Sequence, residues 1–101
     1  MDLAFCASVF TGGNLSYFSK CVQEFSRMLK VDGYLVFDYF DISTEAGWGV
    51  LTRNMARKQP ILAYTYHSTE TVDKVLNLLG FKIVNRYPTL RGSVFVTAQK
   101  L

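Results

Sequence analysis

An apolar run near the start of the chain constrains the fold more than any other feature of the sequence. Residues 3–10 read Leu-Ala-Phe-Cys-Ala-Ser-Val-Phe, with no alternation between apolar and polar side chains. A strand with this pattern needs burial on both faces, which is typical of a central strand in a parallel sheet. The run stops at Thr11-Gly12-Gly13-Asn14, where two adjacent glycines break regular structure. These residues favour an α/β fold with parallel strands.

Helical and extended patterns alternate along the rest of the chain. Apolar residues at helical spacing predict two helices, one over Phe18, Cys21, Val22, Phe25, Met28 and Leu29 and one over Val72, Val75, Leu76 and Leu79. Strands are predicted over residues 34–40, 81–87 and 93–98, with a short extended piece over residues 61–66. A further helix around Trp48 is weakened by two nearby glycines. This order predicts layers of helices and sheet, with the first strands parallel and a closing antiparallel hairpin.

Composition and charge point to one globular domain over residues 1–101. Half of the residues are apolar and 19% are charged, which excludes a disordered chain. The net charge is +3, and its densest basic group is Arg53, Arg57 and Lys58. A solvated helix face explains this group better than a nucleic-acid interface, which needs a concentrated basic stripe.

The chain shows no signal for a membrane span or a secretory leader. It contains no stretch of about 18 uninterrupted apolar residues, and its start at Met1-Asp2 shows neither a basic n-region nor a cleavage signal. Cys6 and Cys21 are isolated from each other, which is typical of reduced cysteines in a cytoplasmic protein. Two distant cysteines and one histidine predict no metal site.

A known family combines these elements in the same order. The first predicted helix ends in Arg27-Met28-Leu29-Lys30-Val31-Asp32-Gly33, and the last one ends in Gly80-Phe81. This resembles the second half of class I S-adenosylmethionine (SAM)-dependent methyltransferases, whose corresponding segment reads r-x-L-k-p-G-G and whose last helix ends in Gly-Phe. The sequence departs from that pattern at Val31 and Asp32. The resemblance implies a partial Rossmann-like sheet with strands equivalent to 4-5-7-6, the last one antiparallel, and flanking helices.

The resemblance covers the half of the family that does not carry the glycine-rich loop. This chain has no G-x-G-x-x-G, so the first three strands of the fold are expected to be absent and the chain alone to be inactive. The resemblance implies SAM as cofactor only if an N-terminal half completes the site.

The missing half leaves residues 2–9 as an apolar edge strand. A flat hydrophobic edge is a template for pairing with another chain. We expect a homodimer through this edge, with a separate N-terminal half, a marginally soluble fragment and a covering loop as the alternatives.

Several residues are candidates for a site. By the resemblance, Cys6, Ala7, Ser8 and Val9 lie at the end of the strand where cofactor and substrate meet, although strand packing alone also explains them. Tyr39, Trp48, Tyr64 and Tyr66 are candidates for an aromatic acceptor pocket, and core filling is the alternative.

His67 is a candidate base if it is exposed, and otherwise a capping residue. Asp38 and Asp41 are candidates for a base or orienting group, or else ordinary turn residues.

Two function classes follow. The chain is either the acceptor-side half of a SAM-dependent methyltransferase or a non-catalytic homodimeric interaction module derived from that fold. In methyl transfer, alignment and exclusion of water matter more than any single side chain.

Overall fold

The computed structural model describes residues 2–6, 15–61 and 66–101, and for Cys6 its backbone only. Within these ranges the elements are β1 (Leu3–Cys6), α1 (Leu15–Met28), β2 (Tyr34–Asp41), α2 (Glu45–Met55), β3 (Tyr66–His67), α3 (Thr69–Leu78), β4 (Phe81–Pro88) and β5 (Ser93–Lys100). They follow the predicted order, and the segment weakened by glycines is a helix.

The strands form a single sheet in the order β1-β2-β5-β4, with β3 paired to β2 outside this path. β1 and β3 run parallel to β2, whereas β5 runs antiparallel to both β2 and β4. This is the order and direction expected for strands equivalent to 4-5-7-6, so the prediction of a partial Rossmann-like sheet is confirmed. β1 and β3 share one side of β2, because β5 pairs along the whole of the other side.

The hydrophobic core lies on one face of the sheet. Leu35, Phe37 and Tyr39 alternate along β2 and are buried there. α1 contributes Phe18 and Val22 to the same cluster. α3 and β5 complete it, with Val72, Val75, Leu76, Val94, Val96 and Ala98. The helical spacing of these residues is the reason that α1 and α3 turn one apolar side to the sheet.

The opposite face of the sheet is less covered, and we call it the open face. It carries Leu3 and Phe5 of β1, Val36 of β2 and Phe95 of β5. Leu3 and Phe5 are 57% and 63% exposed, and the rings of Phe5 and Phe95 stack with centroids 6.5 Å apart. Among the described residues β1 pairs only with β2, so an apolar strand lies at the edge of the sheet, as predicted for residues 2–9, of which residues 7–9 lie outside the described ranges.

The turn between α1 and β2 has a strained backbone at Asp32, where the family that the sequence resembles usually has glycine. Asp32 has a φ of 69°, in the left-handed region. Its N–H donates to the carbonyl of Lys100 at 2.9 Å, and the Lys100 N–H donates to the carbonyl of Gly33 at 2.9 Å. The Lys100 ammonium also donates to the carbonyl of Leu29 at 2.8 Å and to that of Ser26. The end of β5 thus satisfies carbonyls that the end of α1 leaves unpaired.

Hydroxyl side chains cap the second and third helices. Ser68 Oγ accepts from the N–H of Thr71 at 3.2 Å and caps the start of α3. Thr44 Oγ1 accepts from the N–H of Gly47 at 3.0 Å and donates to the carbonyl of Asp41 at 2.8 Å. The second cap fixes α2 immediately after β2, at the carboxyl end of the sheet's central strand.

Candidate functional site

A network of polar side chains around the buried Asp41 lies where β2 ends. Thr69 Oγ1 donates to Asp41 Oδ2 at 2.7 Å. Because a hydroxyl has one proton, the 3.1 Å contact between Tyr39 and Thr69 has the Tyr39 O–H donating. The other carboxylate oxygen of Asp41 accepts from the Ser43 N–H at 2.9 Å and from the Ser43 hydroxyl. One oxygen of Asp41 therefore joins β2 to the start of α3, and the other accepts from Ser43 in the turn that follows β2.

The surroundings shift the protonation of two groups in this network. Burial acts to raise the pKa of Asp41, but the hydrogen bonds from Ser43 and Thr69 outweigh it and hold that pKa below its ordinary value. Burial raises the pKa of Tyr39, against the hydrogen bond to Thr69. Asp41 is therefore a carboxylate and Tyr39 a neutral phenol at neutral pH, which suits a structural role better than proton transfer.

His67 lies beside this network and is buried, with 5% of its surface exposed. Its ring packs 4.7 Å from that of Phe18 and 6.5 Å from that of Tyr39. Among the described residues its Nε2 has no hydrogen-bond partner. Burial lowers the pKa of His67, so the imidazole is neutral at physiological pH. A role as general base requires an exposed ring, and the ring of His67 is buried.

Asp38 and Asp41 lie on opposite faces of the sheet. They are three residues apart on one strand, and side chains alternate along a strand. Asp41 joins the network on the core face, whereas Asp38 lines a cleft on the other. The two carboxylates therefore do not form a pair, and Asp41 fits the turn-residue interpretation.

The cleft lies between α2, the open face of the sheet and the turn that joins β4 to β5. Its volume is about 1100 Å³, and its lining includes Asp38, Phe40, Val50, Arg53, Asn54, Arg57, Ile61, Thr89, Leu90, Arg91, Ser93 and Phe95. Phe40 and Phe95 lie on neighbouring strands and form an apolar floor. Arginines reach the cleft from both walls, Arg53 and Arg57 from the helix side and Arg91 from the turn. Its size is that of a pocket for a small molecule.

Asn54 holds the helix wall of the cleft in place. This side chain is buried, and its amide nitrogen donates to the carbonyl of Ile61 at 3.0 Å and to the hydroxyl of Tyr66 at 2.9 Å. Its amide oxygen accepts from the N–H of Ile61 at 2.8 Å. A single asparagine thus joins α2 to Ile61 and β3 on either side of the undescribed residues 62–65.

Two close backbone contacts fix the distance between the walls. A Cβ on Gly47 would lie 1.9 Å from the carbonyl oxygen of Asp41. A Cβ on Gly92 would lie 2.7 Å from the backbone of Ala46, and the φ of Gly92 is +90°. The N–H of Asp41 donates to the carbonyl of Gly92 at 3.1 Å. The start of α2, the end of β2 and the β4–β5 turn therefore meet in direct backbone contact.

The structure divides the predicted site residues between two places. Tyr39 and His67 lie on the core face beside Asp41. Tyr66 lies on the cleft side, with its ring 5.7 Å from that of Phe40 and its hydroxyl bonded to Asn54. Trp48, on α2, is 54% exposed and is not among the residues that line the cleft.

The remaining predicted residues are only partly described. Cys6 ends β1, which runs parallel to β2, so its backbone lies at the carboxyl end of an edge strand. Ala7, Ser8, Val9 and Tyr64 lie outside the described residues. Their roles in cofactor and substrate binding stay predictions.

The arginines and Asn54 were not predicted as site residues. Arg53 and Arg57 were assigned to a solvated helix face, and they are exposed. Their spacing of four residues placed them on one side of a helix, but no sequence pattern indicated that Arg91 would face them. The fold alone brings the three together.

Two structural searches within the described ranges have a negative result. No group of three or more His, Cys, Asp and Glu residues is arranged to hold a metal ion. None of the helices has the length and apolar character required to cross a bilayer.

Comparison with solved structures identifies the fold. The chain matches a SAM-dependent methyltransferase from Methanosarcina mazei with a TM-score of 0.71 and 17% identity, over 100% of this chain and 59% of that one. It matches magnesium protoporphyrin IX methyltransferase from Synechocystis, solved with bound SAH, with a TM-score of 0.73 and 17% identity, over 99% and 45%. A third match is a possible histamine N-methyltransferase from Thermotoga maritima, with a TM-score of 0.73 and 17% identity, over 99% and 56%.

The fold is therefore that of part of a SAM-dependent methyltransferase. The chain spans less than two thirds of the length of each of these structures, although nearly all of its own residues are matched. No protein-family model and no curated protein matches the sequence.

Proposed function

We propose that this chain is the acceptor-side half of a SAM-dependent methyltransferase, which acts together with a half that carries the glycine-rich loop. The observation that carries the proposal is the sheet order β1-β2-β5-β4 with an antiparallel β5. In addition, nearly all of this chain aligns with 45–59% of the length of the methyltransferases it resembles. The completing half is either another segment of the same polypeptide or a separate chain.

The described residues fit a cofactor site that needs completion. Open α/β sheets bind ligands off the carboxyl ends of their strands, and β1 and β2 present theirs at the same edge. Asp41 lies at this edge, but Ser43 and Thr69 occupy both of its oxygens. In this proposal the carboxylate that would hold the ribose hydroxyls of SAM comes from the other half, as the resemblance implies. In this proposal residues 6–9 border the methionine end of the cofactor, which supplies an electrophilic methyl group.

The contribution of this chain to methyl transfer is to position the acceptor. Transfer depends chiefly on the alignment of the nucleophile with the methyl group and on exclusion of water. The cleft beneath α2 has a rigid aromatic floor and walls fixed by backbone contact at Gly47 and Gly92. We assign the acceptor to this cleft, with Tyr66 at its margin.

A calorimetric titration with SAM tests the proposal. We expect no binding tighter than about 1 mM by the 101-residue chain alone. The DNA immediately upstream should encode a glycine-rich strand-loop-helix in the same or a neighbouring frame, and its product, joined to or mixed with this chain, should bind SAM in the micromolar range. Tight binding of SAM by this chain alone, or no binding after such a segment has been joined to it or mixed with it, contradicts the proposal.

The second candidate is a homodimeric interaction module, and one observation favours it. β1 lies at the sheet edge with Leu3 and Phe5 exposed, so it can pair with a second copy of itself. A two-fold axis normal to the sheet would pair the two β1 strands antiparallel and make one continuous sheet.

Light scattering after size exclusion separates this module from the half-enzyme. A dimer has twice the 11.5 kDa mass of the chain, and Phe5→Lys should convert it to a monomer. Leu78→Lys is the matched control, because Leu78 is 83% exposed on α3, away from the edge. A monomer at high concentration excludes self-association and leaves the edge for the completing half.

We also propose a cytoplasmic location. Cys21 is a free cysteine, and unpaired thiols are typical of reducing compartments.

A further inference from the structure

The cleft beneath α2 carries an excess of positive charge. Arg53, Arg57 and Arg91 line it, and among the described lining residues Asp38 is the only acid. The ion pairs of the described chain join Lys20 and Arg27 to Glu24, Lys30 to Asp2, and Arg86 to Asp73. None of the three arginines of the cleft takes part in them. Three guanidinium groups that form no ion pair with a carboxylate of the described residues surround one concavity and create a field that attracts anions.

The arginines reach the cleft from two elements whose separation is fixed. Arg53 lies in the last turn of α2, and Arg57 follows the helix by two residues. Arg91 lies in the β4–β5 turn, whose neighbour Gly92 is in direct contact with the backbone of Ala46 at the start of α2. Guanidinium donors therefore border the cleft from two elements, and planar guanidinium groups suit a carboxylate because they donate two parallel hydrogen bonds.

The floor of the cleft suits an apolar, flat body. Phe40 and Phe95 supply aromatic surface, and Val50, Ile61 and Leu90 add aliphatic surface around them. The hydroxyls of Thr89 and Ser93 also line the cleft and hydrogen-bond to each other at 2.7 Å. Asp38 and Ser93 lie on the floor strands beside these rings, so the aromatic surface is bordered by polar groups.

From charge and shape together we propose that this cleft binds a small aromatic or polycyclic carboxylate. The ring system lies on Phe40 and Phe95, and the carboxylate is held by Arg53, Arg57 and Arg91. The ligand's role as methyl acceptor rests on the function proposed above, whereas its binding does not. The cleft would then select acceptors by charge before any reacting group is aligned.

A titration of the isotopically labelled 101-residue chain by NMR tests the proposal without SAM. The probes are a naphthalenecarboxylate and the neutral naphthalenemethanol, which share a ring system and differ in charge. We expect the carboxylate to bind about tenfold more tightly than the alcohol, with shifts at Phe40, Phe95 and the β4–β5 turn. Equal affinity for the two probes, or shifts elsewhere, would overturn the proposal.

Single charge removals identify the groups responsible. Arg53→Gln, Arg57→Gln and Arg91→Gln should each weaken carboxylate binding about three- to tenfold and leave binding of the alcohol unchanged. Lys74→Gln is the matched control, because it removes one positive charge from an exposed position of α3 that does not line the cleft. An equal effect of Lys74→Gln would show a response to net charge and overturn the assignment.

The binding and methyl-transfer experiments together distinguish failure of the anion site from failure of the proposed half-enzyme. Charge-selective binding by a chain that never supports methyl transfer, even with its upstream segment, leaves the anion site in place and removes its role as acceptor site. Methyl transfer without charge-selective binding leaves the half-enzyme in place and overturns the anion site.

Discussion

The backbone of Gly47 packs against the carbonyl of Asp41 so closely that a Cβ at position 47 would lie 1.9 Å from that oxygen. The obstacle is backbone, which a rotamer change cannot relieve. We expect Gly47→Ala to destabilise the protein by about 1–3 kcal/mol or more, because α2 must move off the end of β2. The shift would also widen the cleft and weaken carboxylate binding. Urea denaturation and the NMR titration measure the two effects.

Gly49→Ala is the control in the same helix. A Cβ at Gly49 would meet only the mobile guanidinium of Arg53, at 3.1 Å. Alanine has the higher helix propensity, so this change should be neutral or stabilising by up to about 1 kcal/mol. Equal destabilisation by the two substitutions would show that contact with Asp41 is not the reason for the glycine.

Asp32 offers a test of backbone strain. Its φ of 69° favours glycine. Asp32→Gly should therefore stabilise the fold by about 0.5–1 kcal/mol, since the relief of the left-handed conformation exceeds the added entropy of the unfolded chain. Asp32→Ala keeps the strain and should not stabilise. Denaturation curves that place Asp32→Gly below the wild type would contradict this account of the turn.

The Asp41 network gives stability at neutral pH that is lost in acid. The folded pKa of Asp41 lies below its ordinary value of 3.8, so its contribution is fully present above about pH 4 and disappears as the pH falls through the folded pKa. Asp41→Asn should be less stable than the wild type at pH 7 by about 1–3 kcal/mol, and the difference should shrink in acid. A constant difference across this range would exclude the carboxylate as the cause.

Two substitutions at Thr69 distinguish the contribution of its hydroxyl from that of its side-chain size. Thr69→Val removes the donor to Asp41 and leaves a buried acceptor unpaired, which should cost about 1–3 kcal/mol. Thr69→Ser keeps the hydroxyl and should cost clearly less. Thermal unfolding followed by circular dichroism distinguishes the two variants. A lower melting temperature for Thr69→Ser than for Thr69→Val would contradict the hydrogen bond from Thr69 to Asp41.

Burial of His67 should make the stability of the fold depend on pH a second time, at higher pH than for Asp41. The folded pKa of His67 is lowered from 6.5 by burial, so the unfolded state binds a proton first as the pH falls. The stabilisation is present above about pH 6.5 and is lost as the pH falls toward the folded pKa. Melting temperatures of the wild type should fall between about pH 7 and pH 5, and those of His67→Phe and His67→Gln should change less. As the chain has one histidine, an unchanged slope in both variants would exclude this residue.

The sequence allowed most of the fold to be predicted because its signals are local. The apolar spacing of α1 and α3 is a pattern of neighbouring residues, and the strand predicted over residues 93–98 lies within β5. α2 was less certain because glycine weakens a helix in isolation. At Gly47 the reason for glycine is contact with a residue of another element, which no local pattern reveals.

The site was harder to predict for the same reason. Tyr39 and Tyr66 were grouped as one aromatic pocket, yet they face opposite sides of the sheet, with Tyr39 bonded to Thr69 and Tyr66 to Asn54. Arg91 joins Arg53 and Arg57 around the cleft because the β4–β5 turn packs against the start of α2. Such a contact joins residues far apart in the sequence.

One strand, β2, supplies both the buried network and the floor of the cleft from alternate positions. Substitutions on one side therefore leave the other largely intact, and the two sites can vary independently. Insertion or deletion of a single residue within Tyr34–Asp41 is different, because it would exchange the two sides for every later position of the strand. Natural variants of this chain should thus preserve the length of β2 and the alternation between its two sides.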